Sequence, residues 1–232
     1  MHHFIFPTQD TWISSGSSTI TGESFKDQNF GRDQILEVKK VFNNFDFDFP
    51  TRALVNFNGT EFTELSKSVA DNTITNPKYY LRLHEAEGNA ELIDTSYRLA
   101  IQPISQSWTE GSGKFGDNPK NTDGCSWENR TNPIGGTATA WADVGVTVLT
   151  VSASAQNFEN ESPDINVEVT NMVNMWLESR EENYGMLIRF NSTQETDSTH
   201  FGHLKFFSRN THTIYSPKYE RFEGKLQSWW TS

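Results

Sequence analysis

Short strand-like runs separated by turn residues are the feature that most constrains the fold of this 232-residue chain. Residues 165–169 alternate between aliphatic and polar side chains, which places the three aliphatic ones on one face of a strand. Clusters of Gly, Asn, Asp and Pro lie between such runs, and this pattern is typical of a sandwich or a barrel. Further strands are predicted at residues 35–38, 53–57, 80–84, 97–101, 146–151, 186–190 and 204–207.

Two segments show helical spacing instead. The apolar positions of residues 62–69 lie three and four apart, and residues 171–177 carry one stripe of Met, Val, Trp and Leu, with Thr170 as a candidate N-cap. We interpret both stripes as core packing. The sequence therefore predicts an all-β fold, a jelly-roll β-sandwich with two short helices. We expect residues 1–220 to form a single domain and residues 221–232 a C-terminal tail.

The composition and net charge limit the kinds of partner that we expect for this chain. Aromatic residues make up 13% of the chain, so aromatic side chains can fill a core that has few aliphatic ones. The net charge of -11 repels phosphate backbones, so we do not expect a nucleic-acid partner. The first residues lack a basic segment and no run of about 18 apolar residues occurs, so we expect neither a signal peptide nor a membrane.

The reactive side chains do not form a recognisable catalytic pattern. Cys125 is the single cysteine, has no histidine near it in sequence, and is predicted to be a small buried residue. His200 and His203 lie three apart with no clear third ligand, so we do not predict zinc there. The sequence shows no combination of a nucleophile, a base and an orienting group, so we expect no enzymatic activity.

A long polar segment, residues 111–136, is rich in Gly, Asn, Asp, Lys and Thr. Such a loop is uncommon inside a compact domain and tends to be functional or interface-forming. Carboxylates in predicted loops leave a structural calcium open as a cofactor, although no spacing singles out a ligand set. The candidates are Asp10, Asp27, Asp33, Asp117 and Asp123.

Several segments share their order with a known module. Residues 107–111 carry a tryptophan and an acidic turn, residues 125–130 carry a second tryptophan, and residues 167–176 run from a strand into a helix. Residues 183–188 and 206–219 continue the series. Together, over residues 8 to 220, they resemble the DNRLRE-type, or disaggregatase-related, module, which is described as a carbohydrate-binding-module-like jelly roll.

One subgroup fits best, because residues 74–83 and 206–217 look like stretches in structural proteins of marine tailed phages. The resemblance implies a non-enzymatic component of a tailed-phage virion, in the neck, collar, tail or capsid surface. Such a protein is made in the host cytoplasm and assembles with other virion proteins, in multiple copies and with symmetry. A carbohydrate-binding module that attaches to cell-surface or secreted polysaccharide is the alternative, since aromatic platforms on jelly rolls stack on sugars.

Three tryptophans in the resembling segments are interpreted as structural core. Trp108, Trp127 and Trp176 are large, lie beside turns or helix ends, and are expected to fix these to the body of the domain. The resemblance supplies no catalytic set, so no role in a reaction is carried over.

The C-terminal tail departs from the resemblance after residue 219. It carries Phe222, Leu226, Trp229 and Trp230, and each tryptophan left in water costs about 2–3 kcal/mol relative to burial. We therefore hypothesise that these four residues form an interface with a neighbouring subunit. Packing against the end of their own sandwich is the equally weighted alternative.

Overall fold

A computed structural model describes residues 2–18, 21–43, 47–86, 96–159, 164–199 and 202–222, and it confirms the predicted all-β sandwich. The strands are β1 (His2–Ile5), β2 (Gln9–Ser14), β3 (Ile35–Asn43), β4 (Phe47–Asn56), β5 (Lys78–Leu83), β6 (Ser96–Pro103), β7 (Asn129–Thr131), β8 (Thr139–Ala140), β9 (Ser154–Glu159), β10 (Ile165–Glu168), β11 (Met186–Phe190), β12 (Gly202–Phe207) and β13 (Lys218–Phe222). The helices are α1 (Thr60–Ala70), α2 (Thr170–Leu177) and α3 (Ser192–Thr196).

Two antiparallel sheets form the sandwich. The smaller has four strands in the order β1-β13-β5-β10. The larger sheet has seven strands. Six follow the order β12-β3-β4-β11-β6-β9, and the seventh, β2, pairs with residues 51–56 of β4, whereas β3 pairs with residues 47–50. Strands β7 and β8 form a separate two-stranded hairpin.

The main core fills the space between the sheets, and strand alternation decides which residues enter it. In β6, Tyr97, Leu99 and Ile101 are buried there, while the side chain of Arg98 lies on the opposite face. Helices α1 and α2 supply further core residues, and the rings of Phe62 and Trp176 meet edge-on with centroids 6.5 Å apart. The apolar stripes of both helices are therefore core packing.

The two predicted helices are confirmed as α1 and α2, and the five-residue α3 was not predicted. Thr170 begins α2 rather than capping it, since the N-cap position is occupied by Val169. Its hydroxyl accepts a hydrogen bond from the Tyr79 amide and donates one to the Glu168 carboxylate, so it joins the helix start to the sheet. Among the described residues, no helix is long and apolar enough to cross a membrane.

The strand predicted at residues 146–151 is wrong. Only Val148 makes a bridge there, to Ile104, and Val146 has a φ of 88°, which no strand residue adopts. Val146 is buried whereas Val151 is 53% exposed, so the apolar residues of this run do not form one buried strand face. Strands β1, β2, β7, β8, β9 and β13 were not predicted.

The sheets join along two borders and so curl into a half-barrel. At one border the amides of Phe207 and Ala86 donate to the carbonyls of His84 and Lys205. At the other, the Ser154 hydroxyl donates 2.8 Å to the Glu168 carbonyl, so a side chain joins β9 to β10.

Candidate functional site

Part of the outer face of the seven-stranded sheet is covered by residues 104–148, the connection from β6 towards β9, which we call the loop layer. In β4, Ala53 and Val55 enter the main core, whereas Leu54 between them faces the loop layer. A second apolar core forms at this contact. Its buried members are Ile13, Leu54, Ile104, Trp108, Cys125, Trp127, Trp141, Val146 and Leu187.

Asn29 is the hydrogen-bonding centre of the loop layer. Its side-chain amide donates 2.7 Å hydrogen bonds to the carbonyls of Glu110 and Cys125. Its side-chain oxygen accepts from the amides of Gly31 and Gly113 at 3.0 and 2.8 Å. Asn29 is fully buried, so one side chain satisfies four main-chain groups that have no access to water.

Two glycines allow the backbones to approach closely around Asn29. A Cβ on Gly31 would collide with the Glu110 carbonyl, and a Cβ on Gly111 would collide with the Asp123 carbonyl. Gly111 also has a φ of 82°, in the left-handed region that favours glycine. Because backbone meets backbone here, this part of the loop layer is closely packed despite its polar composition.

A partly buried ionic cluster connects the loop layer to the chain after β12. The Arg209 guanidinium donates two 2.6 Å hydrogen bonds to the Glu110 carboxylate, the bidentate geometry that is strongest for such pairs. Glu110 also accepts from the Asp10 amide, and the Asp10 carboxylate accepts from the Arg209 amide. Burial, together with the charge of Glu110, raises the pKa of Asp10 to about 7, although the Arg209 amide opposes the shift.

Arg52 fixes the other end of the loop layer. Its guanidinium lies 4.5 Å from the centre of the Trp127 ring and also donates to the Gly145 carbonyl. It makes two 2.8 Å hydrogen bonds to Glu195 on α3, which is buried and also pairs with Arg189. One arginine of β4 therefore holds both the loop layer and α3 on the outer face of the sheet.

Three apolar side chains project from this fixed backbone into solvent: Phe115, Ile134 and Val144 are 53, 86 and 78% exposed. The Phe115 amide donates to the Asp33 carboxylate. Ile134 lies in the connection between β7 and β8, within a turn that is closed by a hydrogen bond from the Gly136 amide to the Pro133 carbonyl. We call these three residues the exposed apolar set.

The tryptophans predicted to be structural are all buried. Trp108 and Trp127 lie in the second core, each with 7% exposure, and Trp176 lies in the main core. The Trp108 indole donates to the Tyr184 carbonyl. Cys125 is fully buried, and burial raises the pKa of its thiol well above the usual range, which keeps it protonated.

The five aspartates considered for calcium already have partners. Asp10 lies on β2 rather than in a loop, and within the described ranges no group of three or more His, Cys, Asp or Glu side chains is arranged to hold a metal. A structural calcium stays a prediction. The Asp27, Asp33, Asp117 and Asp123 carboxylates bind the Lys120 ammonium, the Trp12 indole, the Lys114 amide and the Ser112 hydroxyl, respectively.

The C-terminal interface hypothesis lies mostly beyond the residues that the structure describes. The backbone of Phe222 ends β13, whereas Leu226, Trp229 and Trp230 fall outside the described ranges. His200 also falls outside them, and the ring of His203 lies 3.3 Å from the Glu37 carboxylate.

Sequence reasoning missed Asn29, Arg52 and Glu195. Their partners are main-chain groups or charges far away in sequence, and no local spacing marks such contacts. Glu110 and Arg209 did lie in two of the resembling segments, but nothing indicated that they pair.

No family model matches the chain, and no curated protein matches it either.

Proposed function

We propose that the chain is a non-enzymatic structural component of a tailed-phage virion that acts through protein–protein assembly. The observation that carries the proposal is the exposed apolar set, Phe115, Ile134 and Val144, held on a backbone that buried hydrogen bonds fix in place. The phage assignment itself comes from the sequence resemblance. The exposure of these apolar side chains supports a binding role.

Covering the exposed apolar set with a partner stabilises an assembly. Apolar side chains gain about 25 cal/mol for each Å² of their area that a partner covers. A loop that is already ordered loses little conformational entropy when it binds, so more of that gain remains as affinity. In a symmetric particle each copy presents the same surface, and repeated weak contacts then act together.

Two further observations are compatible with a structural role. The single thiol, Cys125, is enclosed and held protonated, so it is unsuited to nucleophilic attack. The negative net charge favours solubility while the free subunits accumulate before assembly.

The test is incorporation into particles. The chain is co-expressed with the genes encoded beside it, particles are purified, and copies per particle are counted by quantitative mass spectrometry. We expect the Ile134→Ser/Val144→Ser double variant to be incorporated at least tenfold less than wild type, with an unchanged melting temperature. The matched control is Val151→Ser, which removes a 53% exposed valine outside the loop layer and is expected to leave incorporation unchanged.

The assembly proposal is wrong if the double variant is incorporated as well as wild type, or if the wild-type chain is absent from every purified particle. Cryo-electron microscopy of the wild-type particle adds an independent check. It is expected to show the loop layer against a neighbouring subunit.

Exposed Phe115 favours a second candidate, glycan binding. Its ring lies 5.6 Å from that of Phe25 and forms the solvent-facing end of a cluster with Trp12 and Phe30. Aromatic surfaces of this kind stack on sugar rings. If the purified chain binds polysaccharide and Phe115→Ala abolishes the binding while particles lack the chain, this candidate replaces assembly.

A further inference from the structure

A polar groove separate from the exposed apolar set lies on the outer face of the seven-stranded sheet. It has a volume of about 340 Å³ and runs over β6, between β9 and β11, with the start of α3 at its rim. Ala100 and Ala155 are small and leave the groove open. The surrounding groups are hydroxyls, amides and two guanidinium groups.

The charge of this groove is opposite to that of the whole chain. The chain has 30 Asp and Glu residues against 19 Lys and Arg, yet the ten residues that line the groove include Arg98, Arg189 and no carboxylate. A ligand with negative charge is therefore attracted to this groove and repelled by much of the remaining surface.

The two arginines differ in how they are held. Arg189 is fixed, because its guanidinium donates 2.9 Å to the Gln102 side chain and 2.5 Å to Glu195. Arg98 is exposed, and its side chain has no ion pair within the described part of the chain. Its backbone is nevertheless fixed, since its amide donates to the Gln194 side chain and its carbonyl accepts from the Asn191 amide.

We propose that this groove binds an acidic segment of a partner protein, with Arg98 as the principal contact for a carboxylate. Guanidinium groups bind carboxylates through two parallel hydrogen bonds, and Arg98 is placed to do so. The side-chain amide of Asn191 and the hydroxyls of Ser192 and Thr193 can form hydrogen bonds with the main chain of an extended segment.

A protein segment fits the groove better than an acidic polysaccharide does. None of the ten lining residues is aromatic, so the groove lacks the ring surface on which sugars stack. The proposal does not depend on the exposed apolar set or on a virion. If the chain is a virion component, the acidic segment belongs to a neighbouring subunit.

The experiment measures binding of a fluorescein-labelled hexaglutamate peptide to the purified full chain by fluorescence anisotropy at low ionic strength. We expect Arg98→Glu to weaken binding at least tenfold and Arg98→Gln to weaken it less. The matched control is Arg180→Glu, an equally large charge change at an exposed arginine outside the groove, which is expected to alter the affinity less than twofold. Circular dichroism confirms that each variant is folded.

Two further probes identify the ligand class. Labelled hexaglutamine is expected not to bind, and an oligouronate of the same charge is expected to bind at least tenfold more weakly than hexaglutamate. The proposal is overturned if wild type does not bind hexaglutamate, if Arg98→Glu binds it equally well, or if the oligouronate binds more tightly. None of these assays involves particles or residues 134 and 144, so their failure leaves the assembly proposal untouched.

Discussion

The two faces of the seven-stranded sheet are buried by different means. The inner face packs apolar side chains such as Leu99 and Ile188 against the four-stranded sheet. The outer face has a smaller apolar core, and around it Asn29, Glu110 and Arg209 form directional polar contacts. Apolar packing depends on volume, whereas buried hydrogen bonds depend on each partner being present. The outer face is therefore the less tolerant of chemical change.

The strongest test of this comparison is Asn29→Leu, which keeps a similar volume and removes all four hydrogen bonds. Two carbonyls and two amides then remain buried without partners, each at a cost of about 1–3 kcal/mol. We expect the free energy of unfolding, measured with urea, to fall by about 5 kcal/mol. The same change at Asn157, exposed on β9, is expected to cost less than about 0.5 kcal/mol. A loss below about 1 kcal/mol at Asn29 contradicts the idea that it organises the loop layer.

The next test is Leu99→Ala in the fully buried inner face. We expect a loss of about 3 kcal/mol, from lost apolar transfer and the resulting cavity. Limited proteolysis under native conditions distinguishes the effects of changes on the two faces. We expect residues 111–136 to be as protected from cleavage in Leu99→Ala as in wild type, and to be cleaved faster in Asn29→Leu. Equal cleavage in Leu99→Ala and Asn29→Leu refutes the separation.

A smaller effect distinguishes the faces by pH. Asp10 has a pKa of about 7 in the folded protein and near 3.8 when unfolded, so between these values the folded state retains a proton that the unfolded state loses. Stability must therefore fall as pH rises, by about 2 kcal/mol between pH 5 and pH 7. We expect Asp10→Asn to remove this slope while keeping an acceptor for the Arg209 amide.

The difference in slope between wild type and Asp10→Asn, from urea unfolding at each pH, isolates this group. Glu37 affects stability in a lower pH range. Its pKa is lowered to about 2, so the stability that its carboxylate contributes is lost only as the pH falls below about 4.5. Identical slopes in both proteins exclude Asp10 as the source.

The inner face was largely predictable from the sequence, and the outer face was not. Alternation in residues 97–101 identified β6, because the apolar residues of a strand with one buried face repeat at every second position. The β-branched run at 146–151 has the composition of a strand, but Val146 has a left-handed φ and Val151 is exposed. Composition does not report backbone conformation, so the run was assigned wrongly.

The candidate site was predicted only as a region. Residues 111–136 were identified as an unusually long polar loop, and Trp127 was expected to fix it, as its contact with Arg52 now does. Three of the four side-chain contacts of Asn29 span more than 80 residues, and its partners are main-chain groups that every residue possesses. No residue type at either end marks such a pair, so only the folded chain shows it.

The pairing of β1 with β13 has a consequence for how the protein is made. Ile5 lies opposite Tyr219, so β1 leaves the ribosome more than 200 residues before the strand that pairs with it, and the four-stranded sheet cannot be completed until then. Until then the apolar side of β1, and the surface of β5 that β13 will cover, remain available to other chains. We therefore expect nascent chains made at a high rate to associate with one another unless chaperones or slow translation keep them apart until residue 219 emerges.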